Sequence, residues 1–544
     1  MEGDDHGSSL KSMDWNMKWM KRMKRTKRSY ASTSVLMAGR SVKGMDWNMK
    51  KRFTSRPVSK KACCSVDRLS SLPDELVSRI LSMLPTKDVV ATQVLCKKIR
   101  RLAFWITSVD LDDSPLSHCR NSPHLPDRFP LFASFVDHVF NNLSHPLSRF
   151  RLHVGGDKSK DSTCHTCYRY GVCFPDLQPS RLYTWITYPL AHHGLRELDL
   201  SFHVSYTSRC QFPPQVFACQ SLEVLKLDSN LNLDGAEISL ISLPNLKRLH
   251  LYSFLIVRDD FLTKLVSSCP SLEDLECANC QWIHSDRLAV SSPSLRRLVL
   301  IIFKHGCDDE RNSNLVVIDT PNLQYFHYDD NLAFHYSITN MNALIQANLS
   351  VALPLQFGSE ELSYQTQLSL VRLVSNVQHL SLLGCCVENI YFGGETKDRL
   401  PMFHNLKTLE LGWNAYPARW DKTLLEILAC SPNLETLAFP EGFFFGKERK
   451  NVEAKVADLE KQGWGSSETP LCFRSNLKRI MIRNYYGMAR EFYIIKFLLQ
   501  KASILNDLEI ICFSGRGHFV PIDEVASTLM ELPRASMTCS VRVL

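Results

Sequence analysis

The stretch LPNLKRLHLY at residues 243–252 decides the fold, because Leu246, Leu249 and Leu251 form a Leu-x-x-Leu-x-Leu pattern just after a proline. Alternation of these leucines with polar residues predicts a short strand that has one buried and one polar face. Pro244 cannot continue a helix, so it ends the preceding segment and directs the chain into the strand. Such a strand cannot bury its apolar face alone, so the pattern has to repeat.

The pattern does repeat, with conservative replacements, as far as residue 505. The first six copies begin 23 to 28 residues apart, which is the period of leucine-rich repeats. The gap from 323 to 377 is about twice as long, and alternating Ile345, Ala347, Leu349 and Val351 predict one degenerate repeat within it. The eleven copies begin at Leu195, Leu222, Leu246, Leu272, Leu295, Leu323, Val377, Leu406, Leu434, Leu477 and Leu505.

Two segments between these strands have apolar residues at helical spacing, FLTKLVSSCP at 261–270 and TLLEILACSP at 423–432. Alternating strands and helices predict an α/β fold in which each repeat rests on its neighbours around one continuous core. A leucine-rich α/β domain of another kind could reproduce two such strands. Eleven copies favour a curved solenoid instead.

The polar positions inside each strand should line the concave face of this solenoid, because successive side chains point to opposite faces. Their charges alternate from repeat to repeat and aromatic residues enter in the middle, which favours a protein or peptide partner over a polyanion. A solvated face without a partner explains the charges equally well. The positions are Glu197, Asp199, Lys226, Asp228, Arg248, His250, Tyr252, Asp274, Glu276, Arg297, Tyr325, His327 and Asp329, and the candidate target-binding residues among them are Arg248, His250, Tyr252, Asp274, Glu276, Arg297, Tyr325 and His327.

A different pattern precedes the repeats, in VDRLSSLPDELVSRILSMLPTKDVVATQVL at residues 66–95. Pro73 suits the first turn of a helix, where Asp74 and Glu75 place negative charge at the positive end of the helix dipole. Pro85 should end this helix. Its predicted apolar stripe consists of Leu76, Ile80, Leu81 and Leu84.

Two further short helices are predicted after this one. Thr86 can cap the second helix, with Asp88 in its first turn, and CKKIRRLAFW at 96–105 predicts a third helix with a basic flank. A module of about 45 residues rarely buries enough surface to be stable alone, so its apolar face should pack against something else. The apolar side of the second helix comprises Val89, Val90, Val94 and Leu95.

From Val66 to Val109 the module resembles an F-box. The resemblance rests on Leu72-Pro73, Glu75, Ile80-Leu81, Leu84-Pro85, Lys87-Asp88 and the run Val94-Leu95-Cys96-Lys97, while Ile99 stands where plant relatives usually carry a tryptophan. An F-box implies docking on a Skp-type adaptor that is bound to a cullin. The adaptor-binding residues implied in this way are Leu72, Pro73, Leu76, Ile80, Leu81, Leu84, Pro85, Val94 and Leu95.

The C-terminal part is similar to the FBD region that closes many plant F-box proteins. This similarity runs from Trp464 through Pro470-Leu471-Cys472 to NLKRIMI at 476–482 and EFYIIKFLLQKASILNDLEI at 491–510. Before it, Val452, Val456 and Leu459 predict an inserted helix. Together, the resemblance to plant F-box proteins with RNI-like leucine-rich repeats and an FBD implies a leader at 1–61, an F-box at 62–110, a linker with irregular repeats at 111–194, a solenoid at 195–440, and the inserted helix with FBD-like terminal repeats at 441–544.

Basic residues are concentrated in the leader, which holds 16 Lys and Arg against 5 Asp and Glu. The whole chain has a net charge of +8, so residues 62–544 are slightly acidic. The leader contains KWMKRMKRTKR at 18–28, which is compatible with a solvated tail, a nuclear-import signal, or a membrane or nucleic-acid contact. We expect neither a signal peptide nor a membrane span, and therefore a location in the cytoplasm, the nucleus or both.

The 19 cysteines are scattered along the chain, which favours reduced thiols over a disulfide scaffold. Cys164 and Cys167, with Cys173 nearby, could supply half of a zinc site, but no second pair follows at matching spacing. No phosphate-binding loop, nucleophile elbow or metalloprotease helix occurs in the sequence. We therefore expect no metal, no cofactor and no catalytic residue.

The favoured hypothesis is a non-catalytic substrate-recognition subunit of an SCF-type (Skp-cullin-F-box) ubiquitin ligase. Its F-box would dock on the adaptor while the solenoid holds a protein target near the ubiquitin-carrying enzyme, so that it acts through proximity. The alternative is a leucine-rich interaction scaffold outside any ligase, in which the helical module only caps the array. Nucleic-acid binding by the leader is a third, less favoured hypothesis, and it predicts affinity that falls steeply with salt.

Overall fold

A computed structural model provides the fold, and all of the residues it describes lie within one unit, Asp67–Leu544. Three short helices are followed by an array of parallel strands, which confirms the predicted fold class. The leader, the Cys164–Cys173 cluster and the predicted helix around Val456 lie outside the described residues. These are 71–113, 129–154, 177–191, 194–202, 212–229, 231–233, 241–256, 260–282, 287–303, 315–330, 335–339, 341–351, 368–383, 400–412, 420–443, 469–513 and 522–544.

The N-terminal module has the three helices that its prolines and charges predict. Pro73 and Pro85 are the N-cap residues of the first two, so Pro73 stands just before the first helical turn. The prediction that Thr86 caps the second helix is wrong, because its buried hydroxyl accepts a hydrogen bond from the backbone N–H of Asp110 at 2.7 Å. The helices are α1 (Asp74–Leu81), α2 (Thr86–Thr92) and α3 (Lys97–Leu102).

A parallel sheet of 17 strands forms the repeat array. Successive repeats supply neighbouring strands, and each of the eleven predicted copies contributes one of them. The strands are β1 (Ser108–Asp112), β2 (Arg149–Val154), β3 (Glu197–Phe202), β4 (Val224–Ser229), β5 (Asn232–Leu233), β6 (Arg248–Tyr252), β7 (Leu255–Ile256), β8 (Asp274–Trp282), β10 (Arg297–Phe303), β12 (Tyr325–Asp330), β14 (Gln346–Val351), β15 (His379–Leu383), β16 (Thr408–Leu411), β17 (Thr436–Phe439), β18 (Arg479–Tyr485), β19 (Asp507–Cys512) and β20 (Ser540–Val543).

Core leucines of successive strands stand in register. Leu249 of β6 pairs with Leu225 of β4 on one side and with Leu275 of β8 on the other, and all three are fully buried. Burying one such side chain contributes roughly 1.5–3 kcal/mol. Because each leucine is covered by the leucines of the adjacent repeats, stability comes from stacking and no repeat is stable alone.

Asparagines that precede the first leucine of a copy join neighbouring repeats. The side-chain amide of Asn245 donates a hydrogen bond to the carbonyl of Gln220 at 2.9 Å, and that of Asn322 donates to the carbonyl of Pro293 at 2.7 Å. Each bond therefore reaches back to the repeat before it. This gives the Pro-Asn-Leu sequence a physical role, since proline sets the turn, asparagine holds the previous repeat and leucine enters the core.

The segments between the main strands are not all helical. Both predicted helices are confirmed, as Phe261–Ser267 and Trp420–Ala429. Elsewhere strands β9 (Arg287–Ser291), β11 (Leu315–Asp319) and β13 (His335–Thr339) form a separate parallel sheet, because short β-branched segments such as LVVID alternate with a period of two. The remaining elements are α4 (Phe129–Asn142), α5 (Pro179–Leu190), a 3₁₀ helix (Pro214–Ala218), α6 (Phe261–Ser267), α7 (Trp420–Ala429), α8 (Leu471–Ser475), α9 (Ala489–Lys501) and α10 (Ile522–Met530).

The degenerate repeat is present as β14, but one of its predicted alternating apolar residues is not a core residue. Ile345 is 42 % exposed, and its neighbour Leu344 is buried instead. Leu344, Ala347 and Leu349 reproduce the Leu-x-x-Leu-x-Leu spacing with alanine in the middle. This copy was not recognised as a full repeat because alanine occupies the position of the middle leucine.

The helical module packs against the first strand of the sheet, as its small size predicts. The bond from the Asp110 backbone N–H to the Thr86 hydroxyl joins the module to β1, and within the module the Ser78 hydroxyl donates to the carbonyl of Trp105 at 2.8 Å. Val77, Val89 and Ile99 are buried and belong to the same continuous apolar cluster as the repeat leucines. Ile99 therefore fills the core of the module.

Candidate functional site: two interaction surfaces

Six large apolar side chains of the helical module are exposed. Leu76, Ile80 and Leu84 are between 38 and 46 % exposed, whereas Met83, Val94 and Leu95 reach 81, 80 and 63 %. Solvent contact of so many apolar groups within 20 residues is the mark of an interaction site. We call the six the docking residues, Leu76, Ile80, Met83, Leu84, Val94 and Leu95.

Helix α1 has apolar residues on two sides. Val77 and Leu81 are buried in the module, whereas Leu76 and Ile80, one turn apart, remain exposed. The predicted adaptor-binding residue Leu81 therefore holds α1 from within and does not present its side chain to a partner. Of the other predicted residues, Leu72 is half-buried against the core, and Pro73 and Pro85 are exposed.

Val94 and Leu95 lie in the turn between α2 and α3, not on the apolar side of α2 as predicted. The helix ends at Thr92, whose carbonyl accepts the backbone N–H of Leu95 at 3.0 Å. The Arg100 Nε donates to the carbonyl of Gln93 at 3.3 Å and so ties the turn to α3. Both apolar side chains of this turn are consequently left exposed.

Two basic residues fasten α3 to α1. Lys98 forms an ion pair with Asp74 at 3.1 Å, and Arg101 pairs with the other oxygen of the same carboxylate. The hydrogen bond from Lys98 is the main reason that the pKa of Asp74 is lowered. The Arg101 guanidinium also lies over the ring of Trp105, 5.7 Å from its centroid.

The second surface is the polar sheet face, made of the residues that alternate with core leucines along the main sheet. At its centre, one nitrogen of Arg297 on β10 donates to Asp274 at 2.7 Å and to Glu276 at 2.9 Å, both on β8. The Nε2 of His250 on β6 lies 3.2 Å from the other oxygen of Asp274. The Tyr252 hydroxyl donates to Glu276. Three neighbouring strands thus share one network.

Aromatic residues continue this network onto β12. The Arg297 guanidinium lies over the ring of Tyr325, 5.2 Å from its centroid, and the Tyr325 hydroxyl accepts a hydrogen bond from the Asn348 amide at 2.9 Å. His327 is buried, and burial lowers its pKa to about 4. Its imidazole is therefore neutral at physiological pH.

Electrostatics keep Asp274, at the centre of the network, ionised. Burial acts to raise the pKa of Asp274, but hydrogen bonds from His250 and Arg297 outweigh it and hold that pKa below its usual range. Burial, followed by the charge of Glu276, raises the pKa of Tyr252. The single positive charge of Arg297 is thus shared by the two carboxylates within the face.

All eight predicted target-binding residues lie on this part of the polar sheet face, on four consecutive strands of the main sheet. They differ in what they offer to a partner. Arg248 is exposed and forms no ion pair with a described residue, Tyr325 is half-buried, and His327 is buried. Arg248 is consequently the group of this set most available for contact.

A second network was missed by the sequence analysis. Arg151 on β2 contacts Asp110 on β1 at 3.0 Å and Asp199 on β3 at 3.8 Å, and His153 contacts Asp199 at 3.0 Å. Neither β1 nor β2 has three leucines at the repeat spacing, so these strands escaped the pattern. The signal that could have found them is the alternation in SVDLD and RFRLHV.

Within the described part of the chain, no group of three His, Cys, Asp or Glu residues could hold a metal ion. The nine described cysteines form no disulfide with one another, and burial raises the pKa of Cys269 to about 12, which leaves its thiol protonated. No helix in the described ranges is long and apolar enough to cross a membrane.

Family models match three parts of the chain: the F-box domain at residues 69–106, the LRR repeats of the FBD-associated F-box protein At5g56370 at 182–388, and the FBD at 465–510. The F-box match contains all the docking residues, and the repeat match contains the central network. The fold and its surfaces thus define an F-box protein in which leucine-rich repeats and an FBD follow the F-box.

Relatives extend this likeness over most of the chain. It is 30 % identical to the F-box/LRR-repeat protein At3g59210 of Arabidopsis thaliana over 499 residues, which are 88 % of this chain and 95 % of the relative. It is 32 % identical to the Arabidopsis F-box/LRR-repeat protein At4g14096 over 504 residues, with the same shares of 88 % and 95 %. The chain therefore belongs to the plant F-box/LRR-repeat family, whose members are generally non-catalytic substrate adaptors.

Proposed function

We propose that this protein is the substrate-recognition subunit of an SCF-type ubiquitin ligase. Its docking residues bind a Skp-type adaptor held by a cullin, and its polar sheet face binds a protein target. The observation that carries the proposal is the exposure of the docking residues on a module whose other apolar side chains are largely buried. The protein contributes proximity, because it brings the target and the ubiquitin-carrying enzyme into one complex.

Docking is tested by Ile80→Asp. Burying an isoleucine at an interface contributes roughly 1.5–3 kcal/mol, and an aspartate placed there adds the cost of desolvating a charge. We expect the affinity for the adaptor to fall at least about 10-fold, since each 1.4 kcal/mol changes the dissociation constant by that factor. The measurement is a titration of the full chain with a Skp-type adaptor and its cullin.

Ile345→Asp is the matched control. Ile345 is the same residue type at nearly the same exposure, 42 % against 40 % for Ile80, but it lies in the repeat array. Thermal unfolding should show that both variants remain folded. Wild-type protein that fails to bind the adaptor, or equal binding by wild type and Ile80→Asp, contradicts the proposed docking.

Target binding is proposed for the polar sheet face around Arg248. A photo-crosslinking residue placed at position 248 should capture a target in plant extract treated with a proteasome inhibitor. The same residue at Lys407, which is exposed on the edge where the chain enters β16, serves as the control. If the same protein is captured equally from both positions, the proposal that the target binds the polar sheet face is wrong.

The scaffold alternative has one structural observation in its favour, the continuous apolar core that joins the helical module to the repeats. Deleting residues 62–110 cannot separate the two functions, because it removes part of β1, which pairs along its whole length with β2. Unfolding would follow under either hypothesis. Surface substitution at Ile80 avoids this difficulty, and loss of adaptor binding with the array intact favours the ligase subunit.

The place of action is proposed to be the cytoplasm, the nucleus or both, with the basic run at 18–28 as an import signal. A fluorescent fusion should lose its nuclear fraction when residues 1–61 are removed. A distribution that does not change on this removal contradicts a role of the leader in import.

A further inference from the structure

Helix α3 contains four basic residues, which the structure divides into two pairs. Lys98 and Arg101 are used within the module, because both form ion pairs with Asp74 of α1. Lys97 and Arg100 are exposed, and neither forms an ion pair with any residue in the described ranges. One pair therefore holds the helix in place, and the other presents its charge to solvent.

The two outward cations flank the most exposed docking residues. Lys97 opens α3 directly after the capping residue Cys96, two positions beyond Leu95. Arg100 is held beside the same turn by its bond to the carbonyl of Gln93. Positive charge is thus fixed next to the apolar side chains of the turn between α2 and α3.

The charge of the module as a whole has the same sign. Residues 71–105 hold six Lys and Arg against three Asp and Glu, a net charge of +3, although residues 62–544 together are slightly acidic. Asp74 is already occupied by two of the cations. Of the remaining cations, Lys97 and Arg100 are those placed beside the turn that holds Val94 and Leu95.

From this arrangement we propose that the surface which meets the docking residues is acidic, with carboxylates opposite Lys97 and Arg100. The inference rests on the proposed function, because it takes the Skp-type adaptor as the partner. It goes further by specifying that the adaptor surface in contact with the docking residues is negatively charged. Apolar contact at Val94 and Leu95 slows dissociation, whereas rim charges of opposite sign speed association. Such steering is screened by salt, because the Debye length is about 10 Å at 0.1 M ionic strength.

The test compares association and dissociation rates of the adaptor–cullin complex with the full-length chain and its variants. Lys97→Glu reverses one rim charge without removing the bond that Arg100 makes to the turn. Lys407→Glu makes the same change of charge at an exposed lysine of the repeat array that forms no ion pair with a described residue. Ile80→Asp marks the loss of docking itself.

The inference expects Lys97→Glu to associate several-fold more slowly than wild type at low salt and to dissociate within about twofold of the wild-type rate. Raising NaCl should slow wild-type association and bring the two rates together. A zero-length carbodiimide crosslink should also join Lys97 to an Asp or Glu of the adaptor.

Two results overturn the inference in different ways. If Lys97→Glu associates as fast as wild type, or no slower than Lys407→Glu, the inferred acidic surface opposite Lys97 is wrong, while the proposed docking on the adaptor is unaffected. If wild type and Ile80→Asp bind the adaptor equally, or neither binds, the proposed function fails and the inference fails with it.

Discussion

Replacing Arg297 with alanine should loosen the centre of the polar sheet face. This substitution removes the hydrogen bonds to Asp274 at 2.7 Å and Glu276 at 2.9 Å and the contact with the Tyr325 ring. Asp274 keeps His250, but two carboxylates then lie on the same strand without a cation between them. Strands β8 and β10 should consequently separate from each other more easily.

The expected loss lies between two limits. Hydrogen bonds to charged groups contribute about 1.5–3 kcal/mol in protected sites, whereas exposed ion pairs contribute about 0–1 kcal/mol. The Arg297 side chain is 37 % exposed and its two carboxylate partners are 18–20 % exposed, so the network belongs between these cases. We expect a local loss of about 2 kcal/mol, which corresponds to roughly 30-fold faster opening of β8 and β10.

Hydrogen–deuterium exchange suits this measurement, because repeat arrays open locally and a single unfolding midpoint hides local changes. Amides of β8 and β10 should exchange about 30-fold faster in Arg297→Ala, while those of β18 and β19 remain unchanged and serve as an internal reference. Arg248→Ala is the matched control. It removes an exposed arginine of the same face that forms no ion pair with a described residue.

The effect should also depend on pH. The pKa of Asp274 is held below its usual range in the folded protein, so the stabilisation is present above the ordinary carboxyl pKa and is lost as the pH falls through the lowered value. The difference between wild type and Arg297→Ala should therefore shrink from pH 7 towards pH 3. An equal difference at both pH values, or a change at pH 7 no larger than that of Arg248→Ala, would refute the reasoning.

Two further predictions concern the C-terminal repeats. The Glu491 carboxyl caps α9 by accepting a hydrogen bond from the Met488 backbone N–H, and burial raises its pKa to about 8. Because that pKa is higher than in the unfolded chain, the contribution of Glu491 to stability is full below about pH 4.5 and is lost as the pH rises through 8. Glu491→Gln should therefore gain stability relative to wild type from pH 5 to pH 8 in urea unfolding; a constant difference contradicts this. Gly442→Ala should destabilise β17 and β18 by more than about 1 kcal/mol, because its φ is +74° and a Cβ would lie 2.3 Å from the Arg483 carbonyl oxygen. At Gly194 φ is +98° and no atom lies within 4 Å of an added Cβ, so Gly194→Ala should lose less stability than Gly442→Ala when both are measured by hydrogen exchange. An equal loss in the two variants would contradict the predicted clash with the Arg483 carbonyl.

The sequence predicted the repeat strands well because each copy carries its own signal. A strand such as β6 has leucine at two alternating positions, and this alternation can be recognised in the sequence of one copy without reference to the other copies. Strands β1 and β2 use Val109, Leu111 and Phe150 for the same purpose, so a pattern built on leucine passed over them. The separate sheet of β9, β11 and β13 was missed because nothing local shows that a strand replaces a helix there.

Side-chain detail was less accessible than the strands. Leu81 and Ile80 are adjacent and equally apolar, yet one lies in the core and the other in solvent, and the difference depends on which side of α1 meets α3. The pairing of Arg297 with Asp274 and Glu276 likewise depends on the register of two strands 23 residues apart. Met83 follows Leu76 by seven residues, a spacing that could have placed it beside Leu76, Ile80 and Leu84 on the predicted stripe.

Strand pairing continues without a break from the F-box to the last repeat, so the number of strands fixes the distance between the two interaction surfaces. From β1, against which the F-box packs, six strand-to-strand steps lead to β10, where Arg297 lies. At about 4.8 Å a step, that is roughly 29 Å along the sheet. Adding or removing a repeat would change this reach in increments of about 4.8 Å without altering either surface.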